Sequence, residues 1–145
     1  MLKNSDSAEN TVEIGRQFAE IIEDKSQNIF LIGELGTGKT TFVKGLGKGL
    51  GIEEEIVSPS FQLVRKYSCR GGIFNHIDLY RLKDIKEILQ LGWWELIEEG
   101  ITAVEWADRA YDILPDEAIF LNIELIAEKE RKIEIFRRKK DIFIN

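Results

Sequence analysis

The sequence predicts an α/β fold in which helices cover both faces of a central, mostly parallel sheet. Two patterns indicate this class. Short apolar segments at 28–32 and 101–106 alternate with segments of helical periodicity, which is typical of parallel strands joined by helices. After Pro115 the spacing changes to strand-like alternation, so an antiparallel hairpin is expected at one edge of the sheet.

The first of these apolar segments ends in a glycine-rich turn that fits a phosphate-binding loop. Residues 29–40 read IFLIGELGTGKT, with Gly33, Gly38, Lys39 and Thr40 at the fixed positions of the P-loop pattern. Small residues leave backbone N–H groups open to phosphate oxygens, and the Lys39 ammonium group reaches the outer phosphates. The Thr40 hydroxyl faces the magnesium ion, and the following helix points its positive end at the same charge.

This motif predicts a P-loop NTPase-like three-layer sandwich that binds nucleotide phosphates. The alternative is a chance match in a glycine-rich turn. A strand is expected before the motif and a helix at 41–50 after it, which is the context that the P-loop requires.

Composition bounds the remaining possibilities. The 145 residues suffice for one ordinary core, so 1–145 is expected to form one domain with 136–145 as a tail. The net charge of −6 argues against a broad nucleic-acid-binding face. Cys69, the sole cysteine, fits a reducing compartment. Without a signal-like start or a membrane-length apolar run, we expect a soluble cytoplasmic protein.

The first helix is expected to follow a polar segment at 1–10. Ser7 or Asn10 is the expected N-cap, and Asn10 with Glu13 has the spacing of a capping box. The core-facing side chains recur at helical period: Ile14, Phe18, Ile21 and Ile22.

Glycines at 45, 47 and 49 lie within the helix that follows the P-loop. Each costs an isolated helix about 1 kcal/mol relative to alanine, so tertiary packing must hold this helix in place. Gly51 is expected to end it.

The segment 56–67 begins with the turn Ser58-Pro59 and is expected to continue as a strand. Its alternation would place three side chains on one face: Phe61, Leu63 and Tyr67. The hydroxyls of Ser58 and Ser60 follow the nucleotide helix, where P-loop proteins can place a segment that senses the terminal phosphate. A plain turn before a strand explains the same composition.

The next predicted strand, 73–79, carries three unusually placed polar residues: Asn75, His76 and Asp78. We expect His76 to be a hydrogen-bonded structural residue. Asp78 ends an apolar strand in a chain with a P-loop, so it is a candidate for the magnesium shell or for orienting the attacking water.

Two short helices are expected at 84–90 and 93–99. The adjacent Trp93 and Trp94 are interpreted as packing residues, although one of them must point away from the core. The strand at 101–106 carries Glu105 near its end, and a buried parallel strand delivers such a side chain to the phosphate edge of the sheet. Glu105 is therefore the preferred second magnesium contact.

The last expected elements are two strands at 118–126 and 132–136, joined by a polar turn at 127–130. The basic run at 137–140 is short, and we interpret it as a solvated strand end or tail.

Five motifs in order together resemble the TsaE family, also called YjeE, over residues 8 to 136. They are GELGTGKTTF at 33–42, SPSF at 58–61, HIDLYRL at 76–82, LG at 91–92 and VEW at 104–106. Members of that family are bacterial P-loop ATPases needed to make threonylcarbamoyladenosine beside the anticodon of tRNA. The resemblance implies that ATP and Mg²⁺ are the ligands.

The resemblance also implies residue roles. Asp78 and Lys39 would serve catalysis, with Tyr80 and Arg81 beside Asp78, and Thr40 and Glu105 would hold magnesium. The triphosphate would lie on the loop residues Gly33, Glu34, Leu35, Gly36, Thr37, Gly38, Lys39, Thr40 and Thr41.

Further implied contacts lie outside the loop. The SPSF segment would be the first switch, with Ser60 standing where the family usually has threonine. Adenine would lie near Ala8 to Thr11, with a basic residue such as Lys129 or Arg131 beside it.

Function in such a family is collective. The resemblance implies that the small ATPase binds the protein pair TsaB and TsaD, which carry out the threonylcarbamoyl transfer, and that tRNA is contacted only indirectly. The net charge of −6 agrees with a domain that acts on a protein partner while the RNA is held elsewhere.

Other function classes remain open. One is a small-molecule kinase, although 145 residues leave little room for a lid and an acceptor pocket. Another is a nucleotide-gated interaction module that does not hydrolyse ATP. A GTPase is disfavoured because neither NKxD nor DxxG occurs in the sequence.

Overall fold

The central feature of the computed structural model is one seven-stranded sheet with the order β1-β7-β6-β2-β5-β4-β3. The structure describes residues 1–22 and 27–142. The strands are β1 (Leu2–Ser5), β2 (Asn28–Ile32), β3 (Val64–Cys69), β4 (Gly72–Asp78), β5 (Ile101–Glu105), β6 (Glu117–Leu125) and β7 (Arg131–Arg138). The central run β6-β2-β5-β4 is parallel, and the pairs outside it are antiparallel. The predicted α/β class is confirmed.

Helices form a layer on each face of the sheet. They are α1 (Ala8–Phe18), α2 (Lys39–Gly49), α3 (Ile85–Leu89) and α4 (Trp93–Glu99). On one face, α1 and α2 pack against β2 through a cluster that includes Phe18, Phe42 and Leu31. On the other face, Trp93 of α4 packs with Phe30 in a second cluster, while Trp94 is 52% exposed. The predicted split between the two tryptophans is confirmed.

The glycines of α2 are explained by its close approach to α1. A Cβ atom added at Gly45 would lie 1.9 Å from the Val12 carbonyl oxygen, and one at Gly49 would lie 2.5 Å from the Arg16 carbonyl oxygen. Side chains at these positions would push the two backbones apart. Tertiary packing therefore holds this helix, as expected from the sequence.

The N-terminal segment differs from the prediction. Residues 2–5 form β1, which pairs antiparallel with β7 and is the edge strand of the sheet. The predicted C-terminal hairpin therefore lies one strand in from the edge where it was expected. Three of its four residues are exposed, so the sequence carries no burial alternation there. Ser7 is the N-cap of α1, because its hydroxyl accepts a hydrogen bond from the Asn10 N–H.

The segment after Pro59 is not a strand until Val64, so that prediction was wrong at its start. The Gln62 N–H donates to the Pro59 carbonyl in a short 3-10 turn at 60–62. Leu63 follows with φ 65°, which breaks any extended run. Phe61 is consequently 78% exposed, whereas Tyr67 is buried.

The C-terminal segment differs from the expected tail at 136–145. β7 continues to Arg138, a 3-10 turn follows at 139–141, and Ile142 is buried. Lys139 Nζ donates to the carbonyls of Tyr111 and Leu114, which ties this turn to the 3-10 segment at 107–113 that the sequence did not predict. Residues 143–145 lie outside the described part of the chain.

The helices in residues 1–22 and 27–142 are short and carry charged residues. None of the helices there has the length and apolar character needed to cross a bilayer.

Candidate functional site

The candidate site is a cavity of about 420 Å³ at the carboxyl ends of the parallel strands. This is the edge at which α/β proteins bind ligands, because strand ends and helix N-termini meet there. The lining residues are Leu35, Gly36, Gly38, Lys39, Thr40, Thr41, Ser58, Asp78, Tyr80, Arg81, Glu105, Trp106 and Arg131.

The loop between β2 and α2 has the backbone shape of an anion cradle. Gly36 and Gly38 have φ angles of 81° and 105°, a region that side-chain-bearing residues rarely adopt. A Cβ added at Gly36 meets no heavy atom within 4 Å, so the loop backbone faces open space. Gly33 has a packing role instead, because a Cβ there would lie 2.5 Å from the Ile123 carbonyl oxygen.

Lys39 lies inside this loop. Its Nζ donates to the carbonyl oxygens of Gly33 at 2.6 Å and Glu34 at 2.8 Å, and it stands 4.3 Å from the ring centroid of Trp106. Burial lowers the pKa of Lys39, and nearby carboxylates, Glu105 foremost, oppose that shift. The ammonium group is thus held among carbonyl dipoles and an indole face, where a phosphate oxygen would be a stronger partner.

Thr40, Glu105 and His76 form a hydrogen-bonded chain at the base of the cavity. Thr40 Oγ1 lies 2.9 Å from each carboxylate oxygen of Glu105. His76 Nε2 lies 2.5 Å from Glu105 Oε2. His76 is 0% exposed and Glu105 is 3% exposed, so the expected hydrogen-bonded histidine is confirmed.

Asp78 stands beside Glu105 at the end of β4. The Tyr80 N–H donates to its Oδ1 at 2.9 Å, and Ser58 Oγ lies 3.5 Å from its Oδ2. Burial raises the pKa of Asp78, the Tyr80 N–H opposes the shift, and the charge of Glu105 adds to it. A carboxylate with a raised pKa at a cavity wall is suited to accepting a proton or a hydrogen bond from water.

These side chains fit a magnesium–nucleotide ligand. Thr40 and Glu105 offer the hydroxyl and carboxylate oxygens that Mg²⁺ prefers, and Asp78 lies next to them. The glycine-lined loop and Lys39 offer donors to phosphate oxygens.

Aromatic and basic side chains form the rim of the cavity. Trp106 has φ 58° and its ring packs on Tyr80 with centroids 4.9 Å apart. Arg109 stacks on both rings at 5.5 and 5.6 Å. Sequence reasoning missed Arg109 and the contact of Trp106 with Lys39. Only the position of Trp106 directly after Glu105 could have signalled that contact.

Arg131 also reaches the cavity, from the start of β7. Its Nε donates to the Thr37 carbonyl at 2.9 Å, which links the hairpin to the P-loop. Lys129 lies in the exposed hairpin turn and is not a lining residue. Of the two basic residues named for the adenine side, Arg131 alone lines the cavity, and a contact of either residue with adenine stays a prediction.

The remaining expected contacts lie farther out. Thr11 is buried and its Oγ1 lies 2.6 Å from Ser5 Oγ, while its methyl group lies 4.0 Å from the position of a Cβ at Gly38. Neither Ala8 nor Thr11 lines the cavity. Nothing is described of the Ser60 side chain, so its role stays a prediction.

Similarity to known proteins extends over most of the chain. The family model described as "Threonylcarbamoyl adenosine biosynthesis protein TsaE" matches residues 5–134. Two proteins named tRNA threonylcarbamoyladenosine biosynthesis protein TsaE are similar to this chain: the one from Treponema pallidum is 36% identical and the one from Aquifex aeolicus is 41% identical. These alignments cover 90% and 92% of this chain and 96% and 93% of the relatives.

A solved structure is similar in fold and sequence. The crystal structure of Bacillus subtilis YdiB superposes with a TM-score of 0.77 at 31% identity, covering 95% of this chain and 84% of that one.

Proposed function

The chain belongs to the TsaE family of tRNA threonylcarbamoyladenosine biosynthesis proteins, and from this premise we propose that it is a Mg²⁺-dependent ATPase acting in that modification. ATP would bind in the P-loop cavity and be hydrolysed slowly by the isolated protein. The observation that carries this proposal is the convergence of Lys39, Thr40, Asp78 and Glu105 on one cavity at the sheet edge.

Binding follows from the loop. Amides of the segment between Gly33 and Thr41 would receive the phosphate oxygens, and Lys39 would exchange its two carbonyl partners for the outer phosphates. Thr40 and Glu105 would hold magnesium. A bound Mg²⁺ ion would neutralise negative charge on the phosphates. Arg131 would contact the nucleotide from the hairpin side.

Hydrolysis requires a positioned water molecule. Asp78 is the proposed orienting group, because its carboxylate lines the cavity one strand away from Glu105. The Tyr80 N–H fixes one of its oxygens and leaves the other near Ser58. The water oxygen would then bond to the terminal phosphorus while the bond from that phosphorus to the bridging oxygen breaks, the water proton would pass to the Asp78 carboxylate, and ADP would leave.

The proposed partners are TsaB and TsaD, with tRNA contacted only through them. The net charge of −6 supports a protein partner over direct RNA binding. Exposed apolar side chains at the cavity side, including Phe61 and Leu35, support a covering partner. A partner-supplied positive charge can raise phosphoryl-transfer rates by about 10³ to 10⁵. We expect a cytoplasmic setting for this assembly.

ATP turnover by the purified protein tests the proposal, measured alone, with TsaB and TsaD, and with tRNA added. The expected result is slow Mg²⁺-dependent phosphate release that rises when the two proteins are present. Equal rates with and without them would contradict the partner mechanism. Stoichiometric phosphorylation of a small acceptor would instead establish the kinase alternative.

A further inference from the structure

We propose that His76 is a positioning residue that holds the Glu105 carboxylate in the orientation needed to bind magnesium. This inference rests on the proposed function, since it concerns the metal side of the same cavity. It assigns a role to a buried histidine that itself does not line that cavity.

The strand register explains why His76 can reach Glu105. His76 on β4 is the direct neighbour of Ala103 on β5, and Glu105 lies two residues farther along β5 on the same face. Ala103 presents only a methyl group between them. The imidazole therefore extends past Ala103 and meets Glu105 Oε2 at 2.5 Å.

The direction of this hydrogen bond follows from the chemistry of the partners. A carboxylate oxygen only accepts, so His76 Nε2 carries the hydrogen and donates it. Thr40 donates to the same carboxylate from the P-loop side. Glu105 is thus held between a donor on α2 and a donor on β4, which fixes both ends of its carboxylate plane.

The other ring nitrogen indicates that His76 is not optimised for stability alone. His76 Nδ1 is buried and has no hydrogen-bond partner among the described residues. A buried polar atom without a partner is costly, so an apolar side chain would suit this fully buried strand position better on packing grounds. The bond from Nε2 to Glu105 gives the polar side chain a specific use.

The expected consequence concerns magnesium rather than the nucleotide. Removing a side chain that hydrogen-bonds to a metal ligand typically lowers metal affinity by about 10- to 100-fold. Without the Nε2–H donor, Glu105 would keep only the Thr40 contact and could rotate. In a variant without this donor, the Mg²⁺ concentration at which the Mg²⁺-dependent gain in nucleotide affinity is half-maximal, called here the Mg²⁺ midpoint, should rise about tenfold. Nucleotide affinity in the absence of Mg²⁺ should stay unchanged.

A first test uses the unmutated protein. His76 is the only histidine, so an untagged protein labelled with ¹⁵N-histidine gives one set of imidazole signals. We expect a slowly exchanging proton on Nε2, and a change in its chemical shift when Mg²⁺ is added to the ADP-bound protein. A ring without a proton on Nε2, or a signal indifferent to Mg²⁺, would overturn the proposal.

A second test compares variants by calorimetric ADP binding at a series of Mg²⁺ concentrations. His76→Leu removes the donor, and His76→Gln restores an N–H at similar reach. Asn75→Leu is the matched control, because Asn75 is equally buried on the same strand but bonds to Leu96 and Glu99. We expect a raised Mg²⁺ midpoint for His76→Leu only, whereas Asn75→Leu lowers the melting temperature without moving that midpoint.

The outcomes separate this inference from the proposed function. Equal Mg²⁺ midpoints for the leucine and glutamine variants would refute the positioning role while wild-type binding still supported the nucleotide site. Failure of the wild type to bind ADP at any Mg²⁺ concentration would refute both. If His76→Leu does not fold, the imidazole spectrum of the wild type decides.

Discussion

Asp78 and Glu105 are direct neighbours on the adjacent parallel strands β4 and β5, so two carboxylates reach one edge of the sheet side by side. Their surroundings differ. Glu105 is almost fully buried between Thr40 and His76, whereas Asp78 lines the cavity with a raised pKa. Two neighbouring acids in different surroundings suit two roles, metal binding and water orientation.

Replacing Glu105 tests the metal role. Glu105→Gln keeps the shape of the side chain and removes its charge, so the Mg²⁺ midpoint for nucleotide binding should rise about tenfold or more. Nucleotide affinity measured in a chelator should stay close to that of the wild type. Calorimetric titrations across Mg²⁺ concentrations give both numbers. An unchanged Mg²⁺ midpoint would return the metal role to Asp78.

Replacing Asp78 tests the hydrolytic role. Asp78→Asn should lower turnover by about 10²- to 10⁴-fold, since a positioned base contributes in that range, and should leave ATP affinity nearly unchanged. Single-turnover phosphate release and equilibrium binding separate the two effects. Wild-type turnover in the asparagine variant would contradict the assignment and point to a group from a partner.

The pKa of Asp78 sets the pH dependence of turnover. Burial raises this pKa from the ordinary value of 3.8, and the ionised form is the active one. Wild-type turnover should therefore increase with pH through a limb that lies above pH 3.8, and Asp78→Asn should lack that limb. A limb of the same position in the variant would exclude Asp78 as its origin.

The same shift predicts an effect on folding. A raised folded-state pKa gives stability that is present below the unfolded value and is lost as pH rises through the folded value. Asp78→Asn should thus gain in melting temperature relative to the wild type as pH rises above 3.8. A difference in melting temperature that does not change with pH would contradict the buried, raised-pKa environment.

Arg131 and Lys129 form a matched pair for the nucleotide contact. Arg131 lines the cavity and donates to Thr37, whereas Lys129 lies in the exposed turn. A hydrogen bond to a charged group contributes about 1.5 to 3 kcal/mol, so Arg131→Gln should weaken ATP binding about 10- to 100-fold. Lys129→Gln should bind normally. The reverse order of affinities would instead support the contact with Lys129.

The close approach of α1 and α2 predicts that two glycine substitutions in α2 differ in severity. Alanine is favoured over glycine in helices by about 1 kcal/mol, but at Gly45 the new Cβ would meet backbone at 1.9 Å. Gly45→Ala should destabilise by about 1 to 3 kcal/mol, as overpacking does. The new Cβ of Gly47→Ala would meet only side-chain atoms, the nearest being the terminal methyl of Ile56 at 2.1 Å, and this substitution should cost less because a side chain can shift more easily than backbone. Chemical denaturation compares the two, and equal values would contradict the close helix approach.

The sequence predicted the parts of this fold that rest on local pattern. The P-loop, its flanking strand and helix, and the strand ending in Glu105 each carry a signal within a few residues. The expectation that one of the adjacent Trp93 and Trp94 points away from the core is also confirmed, although the sequence did not indicate which of the two would be buried.

Elements that depend on distant partners were not predictable in this way. β1 is a mostly exposed strand that exists because β7 offers it hydrogen bonds across most of the chain. The exposed Phe61 results from the left-handed Leu63, a residue type that gives no local warning of that conformation. Arg109 stacks on Trp106 within one turn of the chain, but its contact with Tyr80 depends on tertiary folding.

The binding of ATP at the P-loop is the claim on which the other predictions depend. Calorimetry of the wild type, Lys39→Ala and the control Lys48→Ala with ATP and Mg²⁺ tests it directly, because Lys48 is an exposed lysine at the far end of the same helix. We predict saturable heat for the wild type and for Lys48→Ala, and loss of most affinity for Lys39→Ala. No heat of binding by the wild type at millimolar ATP, or undiminished binding by Lys39→Ala, would contradict the account.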